Sequence, residues 1–470
     1  MKACRVAGER VDEQALRFMC AGAHRAHVTG VRYKGRAVRA LRLSRFSSLR
    51  AFGHRDFVHV WTGALVSNIG TWMETLALGV YVTTVTGRAE ATGAIAALTF
   101  LPAVVLSPVG GALADRFDRR VYLAVGTLMQ VLLAAILTVL AFTGRLSVPA
   151  VAVISFLNGC AGTLTNPAFS ALVSEIVPSE DLHSAVSLNS AQFNLGRIIG
   201  PALAAGVLAT GGIAWALFVN TLSFLAVLVA LSRVRSSSKA SVLSREELWP
   251  GIVRGARLAR EDAGIFLIMM GTLIVAALVA PFIGLVPVFA IRVFHQGAAA
   301  TSLLVTAQGV GAVTAAMMLG PLVERLGRKR LLEWCVLLIG PMAALYWMAP
   351  TLHAAALAIV GLGALYMSTL AGFNTICQLR APRELQARIS SLYGMMLGVG
   401  YAGGVWLQGA LADRVGVRFV TASCALLFLA LVLTMRLLLP RAFDATEAPT
   451  GHLSPGEARP SVGLEGHGDF

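Results

Sequence analysis

Twelve runs of about 18 to 25 mostly apolar residues succeed one another along the chain. Each is long enough to cross a hydrocarbon core as a helix rising about 1.5 Å per residue. They cover approximately residues 57–82, 92–114, 121–143, 148–172, 185–209, 213–232, 264–290, 298–321, 331–349, 352–376, 386–411 and 417–439. The pattern predicts an all-α membrane protein with twelve transmembrane helices. The fifth run, rich in Ser and Asn, carries the weakest apolar signal of the set.

The polar segments between runs divide the chain. A basic N-terminal segment, 1–56, is expected to be poorly ordered, and could also be an extension from an upstream start codon; it has no apolar stretch of the signal-peptide kind. A polar, basic linker at 233–262 separates an N-terminal six-helix half, 57–232, from a C-terminal one, 263–439. The tail, 440–470, is rich in Pro, Gly and Glu and is expected to be disordered.

Basic residues set the orientation, because Lys and Arg in short loops stay on the cytoplasmic side. With the N-terminus inside, the inner loops hold Arg116, Arg119, Arg120, Arg233, Arg235, Lys239, Arg245, Arg254, Arg257, Arg260, Arg325, Arg328, Lys329, Arg330, Arg380, Arg383 and Arg388. The outer loops hold only Arg88, Arg145, Arg292, Arg414 and Arg418. Both termini are therefore expected in the cytoplasm of a bacterial cell, with the chain in its inner (plasma) membrane.

Composition agrees with a lipid solvent. The 470 residues are 56% hydrophobic and 13% charged, against about 25% charged in soluble domains. A net charge of +15 and a pI near 10.3 would suit nucleic acid, but the basic residues are segregated between apolar runs, which speaks for topology instead. Cys4, Cys20, Cys160, Cys335, Cys377 and Cys424 show no CxxC spacing, and the nine histidines no metal-ligand spacing. No metal and no cofactor are expected. A GxxxxGK[ST] phosphate loop is missing, so the chain is not expected to hydrolyse ATP.

The two halves repeat. GALADRFDRRVYL (Gly111 to Leu123) follows the second run and GPLVERLGRKRLL (Gly320 to Leu332) the eighth. VPSEDLHSA follows the fourth run and APRELQARI the tenth. Two pseudo-symmetric six-helix units explain this best. Each loop sets an acid beside bases: Asp115 with Arg116, Arg119 and Arg120, then Glu324 with Arg325, Arg328, Lys329 and Arg330. A carboxylate there can cap a helix on the neighbouring half, and the bases can bond helix C-terminal carbonyls, which suits a gating loop.

GALADRFDRR resembles the signature of the major facilitator superfamily, Gly-x-Leu-Ala-Asp-Arg-x-Gly-Arg-Arg, with Asp118 replacing its usual Gly. GPLVERLGRKR resembles the degenerate second copy. VSNIGTWMETLALGVYV and LNSAQFNLGRIIGPALAAG look like the branch holding the enterobactin exporters and macrolide efflux pumps. The resemblance runs from about Phe52 to Leu439 and implies the major facilitator fold and an export role. GRIIGPALAAG (Gly196 to Gly206) is similar to the exporters' antiporter motif, which marks Gly196, Gly200 and Pro201; Ala204 and Ala205 replace its last glycines. Gly196 and Gly200 let a neighbouring helix approach, and Pro201 can bend its own.

Two charges fall within apolar runs, Glu74 and Arg197. Such charges cost at least about 2.5 to 3.5 kcal/mol, so each should face the interior and find a partner. They are expected to face a shared cavity, with Glu74 exchanging protons. Asn68, Asn158, Asn166, Gln192, Asn194, Gln308, Asn374 and Gln378 are interhelical hydrogen bonders by default, and Asn68, Gln192, Asn194 and Asn374 join Glu74 and Arg197 as coupling or cavity candidates.

The expected function is secondary active export of small amphipathic molecules, drug, macrolide or siderophore-like, by proton antiport and alternating access. The expected partners are a small-molecule substrate, protons and membrane lipid, without nucleic acid, and the expected state is a monomer. A proton-coupled importer of the same fold is the alternative, and behind it a membrane sensor or enzyme, although no nucleophile, metal or acid pair at workable spacing supports the last.

Overall fold

The computed structural model describes residues 47–234, 248–382 and 385–438. Residues 1–46, linker residues 235–247, Arg383, and the tail from residue 439 lie outside the described residues, as do Cys4 and Cys20.

After a 3-10 helix at Ser47–Gly53 the elements are all helical: α1 Arg55–Thr86, α2 Ala89–Arg116, α3 Arg119–Phe142, α4 Val148–Glu175, α5 Leu182–Thr210, α6 Gly212–Arg233, α7 Leu248–Glu261, α8 Ala263–Leu278, α9 Val286–Arg292, α10 Ala298–Leu326, α11 Arg328–Trp347, α12 Leu352–Arg380, α13 Gln386–Val415 and α14 Val417–Leu438. No strand occurs among the described residues. Every apolar run lies on this helical series, the weakly apolar fifth included. By length and composition, ten segments can cross a membrane. The helices α1 and α13 are not among the ten, and both carry polar groups turned inward, Glu74 and Gln408 for instance, each under 9% exposed. Large apolar side chains such as Val105, Met317 and Leu357 are at least 70% exposed on the outside of the bundle, where lipid rather than water would cover them.

Local chemistry starts the helices. Asp118 accepts from Val121 N at 3.0 Å, and Ser147 and Thr351 cap α4 and α12 likewise. Asp118 is the residue that departs from the signature glycine, and capping α3 is what it does. The helix α1 ends on Gly87 in the left-handed region, φ 64°, where glycine carries no steric penalty.

Two segments carry more structure than the apolar runs alone suggest. The seventh run, expected as one span over 264–290, is one span by length and composition but not one helix: α8 stops at Leu278, a 3-10 turn follows at Ala280–Phe282, and α9 begins at Val286. Pro281 and Pro287 supply no backbone N–H, so the helical ladder cannot run through them. The linker, 233–262, is not simply polar chain, since α7 occupies its second part. Gly255 and Ala259, one turn apart on α7, are buried, and Gly255 packs against Arg388 and Leu392 of α13.

The end where α1 begins and α14 ends is termed the base, and the end at Gly87 the rim. The first six long helices meet the later ones chiefly where α2 lies along α13 and α5 along α10. At the first contact a Cβ on Gly93 would fall 2.4 Å from the Val405 carbonyl oxygen, and one on Gly409 2.7 Å from that of Ala89. Only glycine lets these backbones touch.

Candidate functional site

Between α1 and α5, the Gly-Pro motif acts as a packing surface. A Cβ on Gly196 would meet Asn68 Cβ at 2.8 Å, and one on Gly200 the Ile69 carbonyl oxygen at 2.6 Å. Pro201 is buried and has no N–H to close the helical bond to the Arg197 carbonyl. The helix α10 approaches at this place: Ser302 Oγ donates to the Pro201 carbonyl at 2.6 Å, and Gly309 lies against Ile198 and the Arg197 carbonyl.

The amides divide into two kinds. Asn68 Nδ2 donates to Gln192 Oε1 at 2.8 Å, and Gln192 Nε2 to Asn189 Oδ1 at 3.1 Å, so a chain of amides ties α1 to α5. Asn194 Nδ2 donates to its own helix at Ser190 O, 2.8 Å away, and Asn374 accepts from Gln378 within α12 at 3.4 Å. By contrast, Asn158 Oδ1 and Gln308 Nε2 are buried without a partner.

Both in-run charges are 7% exposed, and the structure does not pair them. Glu74 lies one turn beyond Gly70 on the face of α1 that meets α6, where Asn220 Nδ2 donates to its carboxylate and Ser223 Oγ donates to Asn220 Oδ1 at 3.1 Å. Arg197 lies over the Trp72 ring, 5.4 Å from its centroid, with Nε unpartnered. Tyr366 of α12 and Tyr401 of α13 are near enough to interact with this guanidinium electrostatically. Tyr401 stands edge-on to Phe100 of α2 at 4.9 Å, and Tyr366 to Phe282 in the α8–α9 break at 5.5 Å. The break thus brings an aromatic wall to the middle of the bundle.

At the base, Arg119 pairs with Glu175 of α4, and Arg120 Nη2 donates to the Ser232 carbonyl at 3.1 Å, near the end of α6. The second contact sets a base on a carbonyl in the last turn of a helix. Arg116, Gly320, Glu324, Arg325 and Arg328 are exposed, and Gly111 has open space where a Cβ would stand. Asp115's side chain is outside the described set. Lys329 lines an apolar cleft between α8, α11, α12 and α14, with Glu333 and Arg436 3.8 Å apart beside it. Asp262 caps α8 through Ile265 N at 2.8 Å and receives Arg380 of α12 on both carboxylate oxygens, each at 2.8 Å. Burial pushes this carboxyl up. The Arg380 hydrogen bond and charge, with the Ile265 and Gly264 amides, outweigh that and hold it below its ordinary value.

The rim holds a constellation the motif reading missed. Asp413, at the end of α13, accepts from the first two amides of α2, Ala89 N at 2.8 Å and Glu90 N at 2.9 Å, and pairs with Arg292 at the end of α9. Arg88 stands 4.0 Å away. A carboxylate at a helix N-terminus satisfies orphan donors and the helix dipole together. The signal was present: Gly409 to Arg414 reads GALADR, letter for letter the Gly111 to Arg116 hexapeptide.

Comparison with known proteins agrees with this architecture. The sequence profile of the transmembrane secretion effector family matches residues 46–462. Macrolide efflux protein A of Streptococcus pyogenes is 24% identical over 391 residues, spanning 81% of this chain and 95% of that protein. The multidrug efflux pump Tap of Mycolicibacterium fortuitum is 25% identical over 78% and 92%. The staphyloferrin A transporter of Staphylococcus aureus is 24% identical over 55% and 65%. Among solved structures, the nucleoside transporter NupG superposes with a TM-score of 0.70 at 11% identity, over 81% of this chain and 100% of that one. A bacterial homologue of the iron transporter ferroportin, in an inward-facing state, gives 0.64 at 16% identity, over 81% and 98%. At such identities the structures speak for the fold alone.

Proposed function

This chain belongs to the transmembrane secretion effector family of the major facilitator superfamily, and from that premise we propose that it exports small amphipathic molecules by proton antiport. It is a multi-pass membrane transporter and not an enzyme. Efflux of a macrolide-like, drug-like or siderophore-like cargo is the reading that its relatives' names favour. The base faces the cytoplasm in this reading, as the loop charges require, and a single chain carries the whole pathway because its two six-helix halves enclose it.

One observation supports the mechanism more than any other: the halves meet partly through hydrogen bonds that hang on single side chains. Asp413 of α13 grips the start of α2, and Ser302 of α10 holds the Pro201 carbonyl of α5. With the rim bonded, the centre is reached from the base; breaking those bonds while the base loops close moves the opening to the other side. Glu74 is the proton carrier in this scheme. It is buried, it has no cationic partner among the described residues, and Asn220 is a neutral donor.

Reconstitution in liposomes tests the reading. With a pH gradient imposed, acidic on the rim side, a macrolide or a catecholate siderophore is expected to move from base to rim, and a protonophore to stop it. Uptake in the opposite sense would make the chain an importer, and movement indifferent to the protonophore would remove the proton.

A further inference from the structure

The centre of the bundle holds hydrogen-bond donors with nothing to donate to. Arg197 is a full charge, 7% exposed, whose Nε has no partner. Among the described residues no ion pair involves it, and the acid nearest in kind, Glu74, is turned to Asn220 on another face of α1. Its guanidinium rests on the Trp72 face, with the neutral Tyr366 and Tyr401 nearby. On α10, beside the Gly309 that touches the Arg197 backbone, Gln308 is 1% exposed with Nε2 unpartnered. On α12, one turn beyond Tyr366, Thr369 is 0% exposed with Oγ1 unpartnered.

A buried charge without a counter-charge is expensive, and a cation–π contact offsets only part of that cost. Arginine also presents a planar fork matched to carboxylate and phosphate oxygens. The unfilled capacity is a guanidinium on the Trp72 ring with Tyr366 and Tyr401 near it, together with an amide N–H on α10, which packs against α5, and a hydroxyl on α12, which packs against α10. That is the complement of an anionic group on an aromatic or apolar body.

We propose that Arg197 is the anion-recognising residue of the cargo site, so that the exporter's cargo class is amphipathic molecules bearing a carboxylate or a comparable anionic group rather than cationic ones. This rests on the export reading above and narrows its cargo, setting aside the macrolide-like amines, which are cationic at neutral pH, in favour of the siderophore-like and other acidic cargoes. Trp72 lies under the guanidinium and Tyr366 and Tyr401 beside it, so the apolar part of the cargo has an aromatic bed while its anion meets Arg197.

The test uses the full chain in lipid nanodiscs and three probes sharing one apolar body: pyrenebutyrate, pyrenebutanol and pyrenebutylammonium. Binding is read by quenching of tryptophan emission. The butyrate is expected to bind about ten- to a hundredfold tighter than the alcohol, the range of a lost charge-assisted hydrogen bond, and the ammonium weakest. Arg197→Gln should abolish that preference, the ratio of butyrate to alcohol binding in one protein serving as the readout so that general loss of affinity and partition into the lipid cancel, and Arg197→Lys should keep part of it. Equal binding of all three probes by the wild type overturns the proposal, and so does an undiminished butyrate preference in Arg197→Gln. The wild-type comparison decides alone if the Gln variant does not fold. Liposome export of the same probes separates the two readings: carboxylate-selective binding without export sinks the export reading only, whereas export indifferent to probe charge sinks the anion site only.

Discussion

A carboxylate and a guanidinium inside apolar runs are visible in a sequence because each interrupts a pattern that lipid enforces. Their partners are not, since Asn220 stands 146 positions from Glu74 and only folding brings α6 against α1. The expectation that Glu74 and Arg197 share one cavity came from depth alone, which places a residue along a helix but not around it. Glu74→Gln is expected to fold normally, because the amide oxygen still accepts from Asn220, and to lose the pH-gradient dependence of export. Proton-driven transport unchanged in that variant would take Glu74 out of the mechanism. Gln192→Leu tests the other kind of polar residue, the interhelical tie. It deletes the bond from Asn68, and by the energies typical of bonds between membrane helices should cost about 0.6 to 1.7 kcal/mol, read as a lowered unfolding midpoint with the cargo affinity preserved.

Helices were readable from apolar runs, and departures from that reading have local causes. Pro281 and Pro287 break the helix of the seventh span, and both stand in the sequence; an apolar run long enough to span simply hides a break inside it. In α7, Gly255 and Ala259 mark a packed stripe one turn apart, which a reading for overall polarity passes over. The rim contact of Asp413 was missed for another reason: the hexapeptide GALADR was recognised where a gating loop was expected, at the inner end of the second span, and not at the outer end of the eleventh. The base contact between Asp262 and Arg380 gives a prediction with a sign. The folded carboxyl sits below its unfolded value, so its contribution is complete above about pH 4 and is lost as the pH falls through the lower folded value. Asp262→Asn should therefore lower stability by roughly 1 to 3 kcal/mol between pH 5 and 8, and the two proteins should converge in acid. A gap that widened on acidification would contradict the assignment of Asp262 as the charged partner.

Alternating access asks that two sets of helices pivot while each stays packed, and the contacts sort accordingly. The tie from Asn68 to Gln192, the bond from Asn220 to Glu74 and the clamp from Arg380 to Asp262 each lie within one set of six. Between the sets stand glycine-smoothed backbones along α2 and α13 and the grip of Asp413 on the first amides of α2. Smooth surfaces slide and a cap can be released, so the rim is where motion should be blocked most cheaply. Cysteines at Glu90 and Asp413 place a disulfide where the carboxylate now reaches the Glu90 amide at 2.9 Å. The oxidised double variant is expected to keep its fold and its access from the base but to stop exporting, with activity restored by reductant toward that of the reduced variant. Export that continued at full rate with the rim cross-linked would mean that the pathway does not open between α2 and α13, and the pivot would have to be sought elsewhere.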